Sequence, residues 1–60
     1  MKVREIERNP YTRLEMVELP TGELYYRVVS NYAGRIEYQD FDYHTVRKWY
    51  VVNEPRRGKI

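Results

Sequence analysis

Residues 42–52, DYHTVRKWYVV, decide which of two folds this chain can adopt. As a strand, the segment would mix a cation with apolar side chains on both faces, because side chains alternate from one face of a strand to the other. As a helix, at about 100° per residue, it gathers most of its apolar side chains on one arc. That arc holds Tyr43, Val46, Trp49, Tyr50 and Val52.

The ends of this segment also favour a helix. Asp42 lies where an N-cap residue accepts hydrogen bonds from the first turn, and Pro55 lies just after the end. The β-branched and aromatic residues oppose a helix by about 3 kcal/mol in sum relative to alanine. Burial of Trp49, Tyr50 and a valine, at about 1.5–3 kcal/mol each, offsets that cost. We therefore predict a C-terminal helix at about residues 42–53.

Four segments that precede the helix are rich in β-formers and are separated by turn residues. Pro20 and Gly22 predict a tight turn, because proline presets φ at the second turn position and glycine accepts the left-handed conformation that follows. Asn9-Pro10 and residues 31–34 predict two further breaks. The predicted strands lie at about 2–8, 12–19, 23–31 and 35–41.

The resulting prediction is an α+β fold, a small antiparallel sheet with the C-terminal helix packed on one face. Alternation predicts that the face under the helix carries Leu14, Met16, Leu24, Tyr26, Val28, Ile36 and Tyr38. The alternative is an all-β, five-stranded SH3-like barrel, in which residues 45–52 are extended and close the sheet.

The length of 60 residues indicates one domain, residues 1–60, with a basic C-terminal tail at 55–60. A domain of this size buries only about 60% of the surface of its unfolded chain, so it is marginally stable alone. Cysteine is absent, which excludes disulfides and thiol catalysis. The sequence has no apolar run of roughly 20 residues and no apolar segment near its start. We therefore expect a soluble, cytoplasmic protein.

One helix covers only one side of a sheet, so the other side needs a different partner. The predicted uncovered face carries five sizeable apolar residues, Val17, Leu19, Tyr25, Val29 and Phe41. Monomeric proteins rarely expose a continuous apolar patch of this kind. We therefore predict a non-enzymatic interaction module of the inhibitor or adaptor type, which docks on a partner protein or forms a homodimer. Its predicted interface consists of Val17, Leu19, Tyr25, Arg27, Val29, Arg35 and Phe41.

Binding of DNA or RNA is the alternative function. Eleven Lys and Arg stand against nine Asp and Glu, and this net charge of +2 is small for a dedicated nucleic-acid binder. Cations beside aromatic residues on a sheet nevertheless suit phosphate binding and base stacking. The candidate contacts are Arg13, Arg27, Arg35, His44, Arg47, Lys48, Arg56, Arg57 and Lys59.

Catalysis and metal binding have weak support in the sequence. Ser30 is the only serine and lacks the glycine-flanked context of a hydrolase nucleophile. Asp40, Asp42 and His44 have the spacing D-x-D-x-H, which would place three ligands on one side of an extended segment. A helix cap at Asp42 and a strand end at Asp40 explain the two carboxylates without a metal. We expect no enzyme activity, cofactor, metal, small-molecule substrate or membrane contact.

Overall fold

The computed structural model describes residues 1–53, which form a four-stranded antiparallel sheet followed by one helix. The elements are β1 Lys2–Arg8, β2 Thr12–Glu18, β3 Leu24–Ser30, β4 Ile36–Asp40 and α1 Tyr43–Val52. The strands lie in the order β1-β2-β3-β4, so each pairs with its neighbour in sequence. The predicted small α+β fold is thus confirmed. The predicted basic tail lies outside the described residues.

The alternative prediction of a five-stranded SH3-like barrel is wrong. Residues 43–52 are helical, and β1 and β4 lie at opposite edges of an open sheet. Asp42 favours the helix because its carboxylate accepts hydrogen bonds from the backbone N–H and the hydroxyl of Thr45. At the other end, the backbone N–H and side-chain amide of Asn53 both donate to the carbonyl oxygen of Trp49. Both ends of α1 are therefore capped.

Glycine forms two of the three turns between strands, as predicted. Gly22 has a φ of +94° between β2 and β3, and Gly34 has a φ of +66° between β3 and β4. Residues with a Cβ rarely adopt such angles. The first turn uses Asn9 instead, whose side-chain oxygen accepts hydrogen bonds from the backbone N–H groups of Tyr11 and Thr12.

The main core lies between α1 and the sheet. Its buried members are Leu14, Val28, Val46 and Tyr50. Aromatic rings extend this core on both sides. Trp49 stacks on Tyr38 with the ring centroids 5.2 Å apart, and Tyr43 meets Tyr26 edge-on at 5.1 Å. These contacts place α1 over β3 and β4.

Three of the seven residues predicted beneath the helix do not join the main core. Met16 is half-buried, and Leu24 is 40% exposed at the start of β3. Ile36 is 43% exposed, because a β-bulge makes Glu37 an extra residue and places Ile36 opposite Val29, on the other side of the sheet. The prediction was therefore wrong for Ile36, since it assumed regular alternation through a strand that contains an extra residue.

A second β-bulge lies in the other edge strand. The register between β1 and β2 shifts between Glu5 and Glu7, so Ile6 is the extra residue. The shift brings Glu7 to the helix side of the sheet, where its carboxylate pairs with the guanidinium of Arg47. This bulge therefore ties the free edge of the sheet to α1.

The core position of Val46 can be tested against an exposed valine in the same helix. Val46 is fully buried, whereas Val51 is 39% exposed. Val46→Ala removes buried methyl groups and leaves a cavity, so it should lower the free energy of unfolding by about 2 kcal/mol. Val51→Ala should change it by less than about 0.5 kcal/mol. Urea denaturation followed by circular dichroism measures both, and equal losses would contradict the packing of α1.

Candidate functional site

The side of the sheet that faces away from α1, which we call the open face, is covered by no other helix or strand of residues 1–53. The strand register sorts its side chains into three rows that run across the strands. The apolar row consists of Val3, Val17, Tyr25 and Phe41. The charged row consists of Glu5, Glu15, Arg27 and Gln39. The third row consists of Arg8, Arg13, Val29 and Ile36.

The apolar row exposes apolar surface at both of its ends. Phe41 is 63% exposed and Val3 is 46% exposed, whereas Val17 between them is fully buried. Tyr25 is half-buried, and the ring of Phe41 meets it edge-on with 6.1 Å between the centroids. Such a ring pair is worth about 0.5–1.5 kcal/mol beyond the area that it buries. Phe41 therefore has a defined position although it is exposed.

Glu15 is the buried charge of the open face, with only 7% of the residue exposed. Each of its carboxylate oxygens accepts one hydrogen bond of 2.8 Å, from the Nε atoms of Arg13 and Arg27. The two arginine side chains are themselves 25% and 19% exposed. Two guanidinium groups thus share one carboxylate, and this cluster carries one net positive charge.

The arginines determine the ionisation of Glu15. Burial would raise the pKa of Glu15, because the charged carboxylate loses hydration. The hydrogen bonds and positive charges of Arg13 and Arg27 outweigh burial and hold this pKa below its ordinary value of 4.5. Burial likewise would lower the pKa of Arg27, but the hydrogen bond and the charge of Glu15 raise it. The cluster is therefore fully ionised at neutral pH.

Hydrogen bonds connect this cluster to the helix around the end of the sheet. Arg13 Nη1 donates to Asn31 Oδ1 at 2.9 Å, and Asn31 Nδ2 donates to the carbonyl oxygen of Asn9 at 2.9 Å. The side-chain amide of Asn9 in turn donates to the hydroxyl of Tyr50 at 3.2 Å. The same asparagine therefore shapes the first turn and links the open face to α1.

The residues predicted as a partner interface lie on or beside the open face, but they differ in accessibility. Val17 and Val29 are already buried within the chain, with 0% and 3% exposed, so they support the face without adding contact area. The accessible members are Leu19, Tyr25, Arg27, Arg35 and Phe41. Their contact with a partner stays a prediction.

The structure divides the residues predicted as nucleic-acid contacts between two sides of the molecule. Four of them pair with carboxylates of this chain, namely Arg13, Arg27, Arg35 and Arg47. His44 and Lys48 are exposed on α1, on the opposite side of the sheet from the open face. Arg56, Arg57 and Lys59 lie outside the described residues. The described residues of this set therefore do not form one continuous surface.

Asp40, Asp42 and His44 do not form a metal site, and residues 1–53 contain no cluster of three such ligands. Asp42 serves as the helix cap. The carboxylate of Asp40 accepts a hydrogen bond from the backbone N–H of Asp42 at 3.0 Å. Because α1 begins at Tyr43, the three side chains do not lie along one extended segment.

No protein-family model matches this chain, and no curated protein or solved structure is significantly similar to it. Within residues 1–53, no helix is long and apolar enough to cross a membrane.

Besides Ile36, two parts of the open face were missed from the sequence. Val3 joins the apolar row because it lies opposite Val17, which requires the register of β1 against β2. Alternation predicts that Glu15 lies on this face, but its burial follows from the arginines on both sides. The spacing of Arg13 and Glu15, two residues apart on one strand, is the signal that could have revealed part of this cluster.

Removal of the shared carboxylate should destabilise the protein in a pH-dependent way. Glu15→Gln leaves Arg13 and Arg27 partly buried without their counter-ion, and should lower the free energy of unfolding at neutral pH by about 1–3 kcal/mol. Because the folded pKa of Glu15 is depressed, its stabilisation is present above pH 4.5 and is lost as the pH falls through the folded pKa. Urea denaturation across a pH series measures the difference in the free energy of unfolding between wild type and Glu15→Gln. This difference should become smaller below pH 4.5.

Glu37→Gln in β4 provides the matched control. It removes the carboxylate that lies 3.6 Å from Arg35, whose side chain is 75% exposed. We expect this variant to cost less than about 0.5 kcal/mol, because exposed ion pairs contribute little. A Glu15→Gln penalty that stays constant down to roughly pH 3 would contradict the assigned role of this carboxylate.

Proposed function

We propose that this protein is a non-enzymatic interaction module, of the inhibitor or adaptor type, which docks another protein surface on its open face. The observation that carries the proposal is the apolar row, in which Phe41 and Val3 stay exposed on the side of the sheet without a helix. Buried aromatic anchors supply much of the binding energy at protein interfaces. Phe41 and Tyr25 are the proposed anchors, with Arg27 and Arg35 at the rim.

The charged row supports the same proposal. Glu15 neutralises only one of its two arginines, so a net positive charge lies directly beside an apolar strip. Arginine and aromatic residues together are enriched in protein interfaces. The half-buried guanidinium of Arg27 is held in place by Glu15, so little side-chain freedom is lost when a partner contacts it.

The edges of the sheet are less suited to docking than the open face. An added strand needs a regular row of backbone N–H and C=O groups along the edge. β-Bulges interrupt both edge strands, at Ile6 in β1 and at Glu37 in β4. The first edge also carries five charged residues, Lys2, Arg4, Glu5, Glu7 and Arg8. Bulges and charges are the means by which proteins block strand addition, so a face is the favoured docking surface.

Binding of DNA or RNA stays the alternative prediction. A phosphate would have to compete with the carboxylates of this chain for the guanidinium groups of Arg13, Arg27, Arg35 and Arg47. The net charge of +2 supplies little attraction to offset that competition. Protein docking is therefore the function that the geometry favours.

A comparison of three immobilised forms of the protein tests the proposed docking surface. Wild type, Phe41→Glu and Val51→Glu serve as bait in a soluble extract of the source cells. Phe41→Glu places a charge in the apolar row, and Val51→Glu places the same charge on α1, on the other side of the sheet. Quantitative mass spectrometry should find a protein that wild type and Val51→Glu retain and that Phe41→Glu loses at least about tenfold.

Circular dichroism should show that both variants keep the wild-type fold, because both positions are exposed. A protein that all three forms retain equally would place the docking surface elsewhere. The proposal is wrong if wild type retains nothing that Phe41→Glu loses and also does not self-associate. Retained material that disappears on nuclease treatment, with a steep dependence on salt, would instead favour nucleic-acid binding.

A further inference from the structure

We infer that the partner of the open face is a second copy of this chain, related by a two-fold axis parallel to the strands and above the seam between β2 and β3. This inference rests on the proposed function, since it names the partner of the same face. It follows from the order of side chains in the apolar and charged rows of the open face.

The two-fold axis makes each residue of β2 face the copy of its cross-strand neighbour in β3. Val17 lies opposite Tyr25 within one chain, so each Val17 faces the Tyr25 of the other copy. One strand further out, each Val3 faces the Phe41 of the other copy. The two exposed ends of the apolar row thereby cover each other, and each pair joins an aliphatic side chain to an aromatic ring.

Within the charged row, Glu15 and Arg27 of the two copies face each other across the axis. Glu15 lies opposite Arg27 within one chain and accepts its hydrogen bond at 2.8 Å. Under the same axis, each Glu15 also faces the Arg27 of the other copy. Desolvated ion pairs contribute more to orientation than to affinity. The charged row therefore determines how the copies align, and the apolar row supplies the affinity.

The size of the open face requires that the copy cover nearly all of it. A face four strands wide and seven residues long measures roughly 19 by 23 Å, or roughly 440 Å², from the spacing and rise of strands. A specific interface needs about 500 Å² of accessible surface on each partner. The roughly 440 Å² is a flat footprint, and the accessible surface of the side chains that stand on it is larger, so the whole face is close to this minimum. An offset arrangement in which only one row overlaps is therefore too small.

A two-fold axis perpendicular to the strands, through the charged row, is a second aligned arrangement that covers the whole face. It would place Glu15 over Glu15 and Arg27 over Arg27. Like charges placed opposite each other repel and suppress association. The axis parallel to the strands is therefore the arrangement that combines full cover with opposite charges.

Complementary variants at the ends of the apolar row test this axis directly. Phe41→Asp and Val3→Lys change residues that are 63% and 46% exposed, so each variant should keep the wild-type circular dichroism spectrum. Alone, each variant places charges against apolar residues, and its dimer dissociation constant should rise at least about tenfold. Mixed in equal amounts, the two variants form a heterodimer in which the new carboxylate at position 41 faces the new ammonium at position 3. The dissociation constant of this heterodimer should be close to that of the wild-type dimer.

Sedimentation equilibrium from about 1 μM to about 1 mM measures these constants. The wild-type dimer should have twice the chain mass of 7.4 kDa.

The absence of cysteine in this chain allows a second readout with single-cysteine variants. Packed sheets lie about 10 Å apart, so a bismaleimide of about that length should join Val3→Cys to Phe41→Cys in a mixture. Two copies of Val3→Cys should cross-link much less, because position 3 of one copy lies roughly 17 Å from position 3 of the other under this axis. Mass spectrometry of the cross-linked products distinguishes the two pairings.

Recovery in the mixture, with cross-links between positions 3 and 41, supports the inference. A monomeric wild type overturns it, and so does a dimer that both charged variants leave intact. A third outcome is that both charged variants dimerise more weakly, that their mixture does not recover the wild-type dissociation constant, and that position 3 cross-links to position 3. This outcome overturns the axis but supports docking through the open face. A monomeric wild type that still retains another protein in a Phe41-dependent manner overturns the second copy as partner while the proposed function stands.

Discussion

Within residues 1–53, a single ten-residue helix covers a sheet of four strands, so only one face of the sheet packs against a helix. The packing of both faces follows from this constraint. On the helix side, large rings compensate for the small number of residues, since each aromatic side chain buries about 150–250 Å². Trp49 stacks on Tyr38, and Tyr43 meets Tyr26. Four of the seven tyrosines of the chain lie in this core. With Trp49, five of the nine aromatic residues of the chain pack in this core.

On the open face, charged side chains take the place of a covering helix. Val17 and Val29 are buried there without a helix above them, and Arg13 lies opposite Val29. Arginine stems cover apolar neighbours while their guanidinium groups stay paired, here with Glu15. This arrangement leaves the middle of the face polar and ordered. The exposed apolar residues lie at the ends of rows, with Val3 and Phe41 in the apolar row and Ile36 in the third row.

The β-bulges of the edge strands affect both the contacts within the chain and the ability of the edges to pair with another strand. In β1, the extra residue Ile6 turns Glu7 toward Arg47 and so fastens the helix to the edge. The same irregularity disrupts the backbone groups that another strand would need. In β4, the extra residue Glu37 has the corresponding effect on the opposite edge. Both edges are therefore less suited to strand addition than regular, uncharged strands would be.

Local signals in the chain were sufficient to predict the order and approximate bounds of the elements, and the side on which Tyr25 and Phe41 lie. Gly22 and Asp42 act on backbone groups within a few residues, so their effects can be read along the chain. The two faces of the sheet could not be assigned completely in this way. One extra residue in a strand moves all the side chains that precede it, relative to those that follow it, to the opposite face of the sheet. The bulge at Glu37 moves Ile36 out from under the helix for this reason. The burial of a glutamate between two arginines, one of them on a neighbouring strand, likewise depends on long-range pairing of β2 with β3, which no short stretch of sequence contains.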